Sequence, residues 1–455
     1  MESTKLKLAY NSSFDLTSRR ECNSMSIYLI LGGEFFGPGG WAKYTRELAY
    51  FLSSHGCRVI IVYRMGQIYP YHIGTDIPDS VKFSKTKTVS RIKRSSLQYL
   101  ALHLPNPLTV VLGTIRIIKE TRQDEATQKI VHAHDLSSSF LIAYLLWKLL
   151  KIPYVIQIHG FPLRECKIKL MNADSMLGNF VWFLTKILYT IALNLLKNSS
   201  AILLVNNNEV KSFYEKCGVS SNKIIIVPSA INLHEHEKHL LSREDARKTL
   251  GLAESEAVTV GYIGVLNPEK NVETLVKAFG EFVKSCSGVK ARLIIIGDGP
   301  MRSVLEEYVR EQGIENVVSF LGFIADAYRF LTAIDIFVLP SLSEGSPIAL
   351  IEAMASGKAI IASNIPSIKE MVEDGKEALL FDPYNSKQLK NLILKLYNNP
   401  ALRKKLGKNA RRKAEQYDAN VVFTKILQIY KEVSKNKRGS LSSNTELAPN
   451  SVYVR

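Results

Sequence analysis

DIFVLPSLSEGSPIALIEAMASGKAIIAS, residues 335–363, reads as strand, loop, helix, strand, and this unit decides the fold. The runs DIFVLP and AIIAS are short, apolar and rich in β-branched residues, as buried strands are. Between them Ser346 can cap a helix, Pro347 suits the first helical position and Gly357 supplies the stop. The spacing predicts a helix from about Pro347 to Ser356. From Gly345 to Gly357 the only charged residue is Glu352, set among Ile348, Leu350, Ile351, Ala353 and Met354. An ionised carboxylate in such surroundings is costly unless it meets a donor. The helix begins just after a strand, so its backbone N–H groups and positive dipole end face the ligand edge of the sheet, ready for phosphate. Glu344 stands in the loop outside. A ribose near Glu352, a pyranose near Glu344 and a diphosphate between them would satisfy all three groups. On spacing alone, a lysine or a backbone amide could serve Glu352 instead.

The same alternation runs outward in both directions. MSIYLILGG (25–33), the helical WAKYTRELAYFLSSHG and RVIIVYR begin a series continued by KIVHAH, YVIQIHG, AILLV and KIIIVPS. NLHEHEKHLLSREDARKTLG (232–251) is strongly polar, has no strand character and reads as a linker. Beyond it VTVGYIG, ARLIIIGDGP, VVSFLG, DIFVLPS and AIIAS alternate with helical segments. Alternation of this kind implies parallel sheets covered by helices on both faces. The chain of 455 residues exceeds one core's capacity, and two doubly wound domains are expected. The expected layout is a mobile tail over 1–24, domains over 25–235 and 236–415, a helix over 416–437 returning to the first domain, and a disordered tail over 438–455. Ligands of open α/β sheets sit at the carboxyl ends of the strands, so the cleft between the domains is the expected site.

Composition excludes other classes. Five scattered cysteines, Cys22, Cys57, Cys166, Cys217 and Cys286, fit neither a disulfide framework nor zinc spacing. A reducing compartment follows. The polar start does not read as a secretory signal, and the apolar runs FLIAYLLWKLL and VWFLTKILYTIALNLL are interrupted by Lys148 and Lys186, so neither a leader nor a membrane span is expected. The formal charge is +17, and residues 1–230 carry 28 Lys/Arg against 15 Asp/Glu. Lys82, Lys85, Lys87, Arg91, Lys93 and Arg94 precede the apolar LQYLALHLP, which suits either an anionic membrane surface or a solvated loop. No nucleic-acid motif accompanies the charge, and no nucleic-acid partner is expected.

Glu344 and Glu352 form the E-x7-E pattern, and with it the chain resembles retaining glycosyltransferase family 4, whose fold is GT-B. GPGGWAKYTRELAYFLSSHGCRVIIV, VIQIHG, IGVLNPEKNVETLVKAF, LIIIGDGPMRSVLE, VVSFLGFI and FVLPSLSEGSPIALIEAMASGKAIIAS follow that family's blocks in order over about 25–435. The resemblance implies two Rossmann-like domains and a nucleotide-diphosphate sugar as co-substrate, with no cofactor or metal. Catalytic roles fall to Glu344 on donor-sugar hydroxyls, Lys270 on the diphosphate's developing charge and His159 on the donor sugar. Donor contacts fall to Glu352 on the ribose, Gly345, Ser346, Pro347 and Ile348 through backbone groups, Gly39 and Gly40 near the phosphates, and Gly322 and Phe323 near the base. His132 and His134 are read as structural.

The chain departs from the family's G-R-L…K arrangement, with Val265 where an arginine usually stands. One cationic clamp is missing. The resulting expectation is a hexose transferred from a UDP- or GDP-sugar to a glycan or lipid-linked acceptor, in the cytoplasm and with possible peripheral contact at an anionic membrane. The rival is a nucleotide-sugar-binding subunit that has lost turnover. A dinucleotide-dependent dehydrogenase fits poorly, because GGEFFGPGG replaces G-x-G-x-x-G after the first strand.

Overall fold

The structure, a computed structural model, describes residues 25–31, 40–63, 67–71, 107–160, 176–252, 257–285 and 288–435. The tails over 1–24 and 438–455, Gly39 and the basic run over 82–94 lie outside the described residues. Two units form: residues to Val227 together with those from Phe423, and Pro228–Val422.

In unit 1 the strands are β1 (Met25–Ile30), β2 (Arg58–Tyr63), β3 (Gln67–Tyr71), β4 (Gln128–Ala133), β5 (Tyr154–Ile158), β6 (Ile202–Val205) and β7 (Ile224–Ile226). They lie in the order β3-β2-β1-β4-β5-β6-β7. Every pair is parallel except β2 with β3, whose antiparallel register starts at Tyr63 opposite Gln67. The expectation of purely parallel pairing is therefore corrected at this edge. Only three residues separate β2 from β3, too few for a crossover, so the chain turns back on itself. The helices are α1 (Gly40–Ser54), α2 (Pro107–Gln123), α3 (Ser138–Leu150), α4 (Met176–Lys197) and α5 (Asn208–Lys216). Met25, Ile27, Tyr28, Leu29 and Ile30 are all buried, as a strand covered on both faces requires.

Unit 2 has β8 (Val258–Ile263), β9 (Ala291–Ile296), β10 (Val318–Gly322), β11 (Ile336–Leu339), β12 (Ala359–Ser363) and β13 (Leu379–Phe381), in the order β10-β9-β8-β11-β12-β13. All pairs are parallel. The helices are α6 (Leu233–His239), α7 (Arg243–Thr249), α8 (Val272–Ser285), α9 (Arg302–Glu311), α10 (Ile348–Ala355), α11 (Pro366–Lys369), α12 (Ser386–Tyr397) and α13 (Pro400–Ala414), followed by α14 (Ala419–Lys435). From Phe423 onward α14 belongs to unit 1: Phe423 packs edge-on against Tyr44 at 5.3 Å and against Phe51 at 5.7 Å.

The polar stretch 232–251 is not a linker. It folds as α6 and α7 inside unit 2, capped by Asn232 and Ser242 through their side-chain oxygens. Three of its polar residues, Asn232, His236 and Arg247, are buried. His236 stacks on Tyr328 at 4.9 Å and bonds Ser356 Oγ at 2.9 Å, and the buried Arg247 donates to Thr259 Oγ1 and the Leu252 carbonyl. Most of the polarity is the solvent face of the two helices, and only the few buried side chains form an internal network.

The helix of the opening stretch, α10, is held from both sides. Leu350, Ile351, Ala353 and Met354 are fully buried, and each large side chain contributes about 1.5–3 kcal/mol by leaving water. At its end Gly357 turns left-handed with φ of 63°, and a Cβ on Gly407 of α13 would sit 2.1 Å from the Gly357 carbonyl oxygen. Only a side-chain-free backbone allows that approach.

Candidate active site

The loops following β8 and β11, two adjacent parallel strands, bring Lys270 and Glu344 together. Lys270 closes a 3-10 turn over Pro268–Lys270, in which Asn267 Oδ1 accepts the Lys270 amide at 3.0 Å. Asn271 then adopts φ of 50°, a conformation an amide side chain tolerates. Its Nδ2 donates to the carbonyls of Pro340 at 3.1 Å and Pro383 at 2.8 Å, and the Leu342 amide donates to the Glu269 carbonyl at 2.8 Å. These bonds fix the lysine's turn to the loop that carries Glu344.

Lys270 Nζ donates to Glu344 Oε1 at 2.7 Å, and Ser341 Oγ donates to the same oxygen at 2.6 Å. The carboxylate side chain is 7% exposed and the lysine's is 23% exposed. Among the described residues Oε2 has no donor, and Lys270 Nζ has only this one acceptor. The pair thus neutralises itself through one oxygen and one N–H. The second oxygen and the remaining ammonium hydrogens are left for a ligand. Below it, burial and then the Glu344 carboxylate push the Tyr262 phenol well above its ordinary value. Tyr262 stays neutral and donates to the Val265 carbonyl at 2.9 Å.

Ser346 does not cap α10. Its Oγ accepts the Ser229 amide at 3.0 Å, and the N-cap is Pro347, with no capping side chain. With no capping side chain and the Leu350 amide already donating to the Pro347 carbonyl at 3.1 Å, the Ile348 and Ala349 amides are the ones without an acceptor among the described residues. Glu352 lies on this helix and is 8% exposed, with Gly345 in the loop before it, Pro347 at the N-cap and Ile348 opening the first turn. Gly322 closes β10 with φ of 70°, and Phe323 beside it is 58% exposed. Gly297 and Gly299 serve packing: a Cβ on Gly297 would stand 1.8 Å from the Gly264 carbonyl oxygen. The loop after β9 thereby rests on the loop after β8, with Leu266 N bonded to Asp298 O at 2.9 Å.

In unit 1, Gly40 opens α1 and is exposed. His159 follows β5, and His134 follows the neighbouring β4. His134 Nδ1 and His159 Nε2 are hydrogen-bonded at 3.1 Å, with rings parallel within 3°. His132, two residues back on the same face, stacks on His134 at 4.2 Å and bonds Tyr430 Oη of α14 at 2.5 Å through Nδ1. Tyr44 meets His159 edge-on at 5.2 Å. Burial pushes His132 and His159 down to about 3, and holds His134 well below its ordinary value. All three imidazoles are neutral near pH 7. His159 can then exchange hydrogen bonds with a ligand but cannot supply a stored proton.

Sequence reading missed Ser341, Asn271, Tyr262 and Tyr430 as parts of these clusters. The N-P-E-K-N stretch carried the signal of a capped turn, and the period-two spacing of His132 and His134 placed them on one face of a strand. Tyr430 had no signal, because its contact spans 298 residues.

Comparison with known proteins gives two family matches that together span most of the chain. Residues 38–235 match Glycosyltransferase Family 4, and residues 242–413 match Glycosyl transferases group 1. The putative glycosyltransferase EpsF of Bacillus subtilis is 27% identical over 271 residues, covering 59% of this chain and 65% of that protein. The alpha-monoglucosyldiacylglycerol synthase of Acholeplasma laidlawii is 26% identical over 391 residues, covering 81% of this chain and 90% of that one. Among solved structures, Anabaena HepE in complex with UDP-glucose superposes with a TM-score of 0.64 at 18% identity, covering 89% of this chain and 99% of that chain. That likeness shows the shared fold.

Proposed function

The chain belongs to the family-4 type of glycosyltransferases with the GT-B fold, and we propose that it moves a hexose from a UDP- or GDP-sugar to a hydroxyl of a membrane glycolipid or lipid-linked saccharide, with retention at the anomeric carbon. One observation carries the reading: Glu344 is held through Oε1 alone, with Oε2 open beside an incompletely used ammonium. In this assignment Oε2 accepts donor-sugar hydroxyls and Lys270 offers its remaining N–H groups to the diphosphate. Electrostatic help of that kind is worth about 2.7–4 kcal/mol per donor at an oxyanion. The uncapped start of α10 takes phosphate oxygens through its amides, and Glu352 takes the ribose hydroxyls. Gly345, Ser346, Pro347 and Ile348 contribute backbone contacts, and Gly322 and Phe323 border the base. His159 and Gly40 carry the roles the resemblance implies, a sugar contact and a close backbone approach to phosphate.

In the step proposed, the bond from the anomeric carbon to the diphosphate oxygen breaks and a bond to the acceptor oxygen forms on the same face. The departing phosphate oxygen takes the acceptor proton. Lys270 and the helix start supply the positive charge, so turnover is expected to survive chelators. The lipid acceptor is supported by the name of the Acholeplasma laidlawii relative, a synthase of a glucosyl diacylglycerol, and the donor by the UDP-glucose bound to HepE.

A second reading has its own observation. Val265, where the family usually has arginine, is 46% exposed and offers no cation, which favours a nucleotide-sugar-binding subunit without turnover. Release of nucleoside diphosphate from a panel of UDP- and GDP-sugars, with and without bacterial lipid extract, separates the two. Release that requires lipid supports transfer. Donor binding without release under any condition supports the second reading, and an inverted product in proton NMR would overturn retention.

A further inference from the structure

The geometry points to a docking surface: we propose that the outer face of α2, α3 and α4 rests on an anionic membrane. These helices lie on one side of the unit 1 sheet, because Ile117, Phe140, Leu146, Leu193 and Leu196 from all three join a single buried cluster. Their opposite faces are unusually apolar. On α4, Phe180 and Phe183 are 56% and 58% exposed, and Ile187 and Ile191 continue the stripe at helical spacing. Val111 and Ile115 on α2 and Leu149 at the end of α3 add to the exposed apolar surface on the same side. In unit 2 the exposed apolar side chains stand singly on separate elements, Val304 on α9 and Tyr384 after β13, as on ordinary surfaces. Exposed apolar side chains on three helices over one side of a sheet call for an occupant.

Charge identifies that occupant. Across the three helices the basic residues are Arg116, Lys119, Arg122, Lys148, Lys186 and Lys197, and the single acid is Glu120. That acid is occupied, since its Oε1 accepts from Arg58 at 2.9 Å. A second copy of this chain would bring like charge to like charge. An anionic lipid surface complements both properties, with apolar side chains entering the headgroup region and lysines meeting phosphates. Trp147 and Trp182, two of the chain's three tryptophans, lie half-buried in α3 and α4, and Lys148 Nζ sits 4.8 Å over the Trp147 ring. Indole rings next to lysines suit the membrane–water boundary. Among the described residues no helix is long and apolar enough to cross a membrane, so contact is along the surface.

The inference deepens the lipid-acceptor reading, but its test uses neither donor nor acceptor, so either can fail alone. The full chain is co-sedimented with phosphatidylcholine vesicles, with and without phosphatidylglycerol. Two variants, Phe183→Ser/Ile187→Ser and Lys148→Glu/Lys186→Glu, alter only exposed positions, and Val304→Ser is the control. The wild type should bind anionic vesicles at least about tenfold more tightly than neutral ones, with salt weakening the difference. Each double variant should lose about tenfold or more, with an unchanged melting temperature, and Val304→Ser should bind as the wild type. Tryptophan emission should shift to the blue with anionic vesicles alone. Equal binding to both vesicles, no binding, or anionic binding that survives both double variants overturns the inference. So does a concentration-dependent dimer abolished by Phe183→Ser/Ile187→Ser, which would make a second copy the occupant.

Discussion

Lys270, Ser341 and Glu344 in unit 2 and His132, His134 and His159 in unit 1 occupy comparable places, around the carboxyl ends of adjacent parallel strands. They meet the cost of burial in opposite ways. The first cluster keeps its charges and compensates them, with the carboxylate 7% exposed and 2.7 Å from an ammonium. The second discards charge altogether, its three imidazoles neutral because burial penalises the protonated form. A compensated pair can still offer charge to an incoming anion. A neutral stack offers shape and hydrogen bonds. On the proposed function, electrostatic work falls to unit 2 and positioning to unit 1.

Separating the charged pair gives the largest expected effect. Lys270→Ala should lower turnover by about 100- to 1000-fold, as loss of one preorganised oxyanion donor does. It should also cost about 2 kcal/mol of stability, below the range for fully buried pairs because the lysine is partly exposed. Lys270→Ala/Glu344→Gln should restore much of the stability and none of the turnover. Urea unfolding and diphosphate release measure the two, and recovery of both would remove the pair from the chemistry.

The neutral stack predicts a pH signature. A histidine with folded value near 3 and unfolded value 6.5 takes up its proton more readily unfolded. Its stabilising contribution is complete above about pH 6.5 and is lost as pH falls toward 3. Each such histidine adds up to about 1.4 kcal/mol per pH unit in that window. His132→Phe should reduce the slope by about one proton without moving the upper limit. Tyr430→Phe removes the hydroxyl bonded to His132 at 2.5 Å, and should cost about 1–2 kcal/mol in chemical denaturation. A neutral effect would mean that α14 does not brace the stack.

Val265→Arg should produce the smallest structural change and adds a second cation to the compensated side. The position is 46% exposed, and its carbonyl, not its side chain, accepts from Tyr262, so stability should move by no more than about 0.5 kcal/mol. Turnover should rise by about tenfold if the missing clamp limits the reaction. An unchanged rate would mean Lys270 and the helix start suffice.

Local signals carried much of this fold. Glycine, proline and β-branched punctuation located β11, α10 and β12 to within a residue or two, because each lies between unambiguous turn residues. Long-range pairing carried the rest. Nothing local in 232–251 revealed that His236 and Arg247 would find partners at Ser356 and Thr259. Ser346 looked like a cap by residue type, yet Ser229, distant in sequence, claimed its oxygen. The candidate site divides similarly. Glu344 and Glu352 stood out as charges in glycine-rich or apolar contexts and Lys270 came only from the family resemblance, whereas Ser341 and Asn271, which fix the Lys270–Glu344 pair, are ordinary loop residues until the two loops meet.

The central claim is that Glu344 reads the sugar while Lys270 reads the diphosphate. Calorimetric titration of the wild type, Glu344→Gln and Lys270→Ala, each with a nucleotide-sugar and with the bare nucleoside diphosphate, tests it most directly. The account predicts that Glu344→Gln weakens the nucleotide-sugar by about tenfold and leaves the nucleoside diphosphate unweakened, while Lys270→Ala weakens both. Equal losses for both ligands in Glu344→Gln, or no loss in either variant, would contradict it.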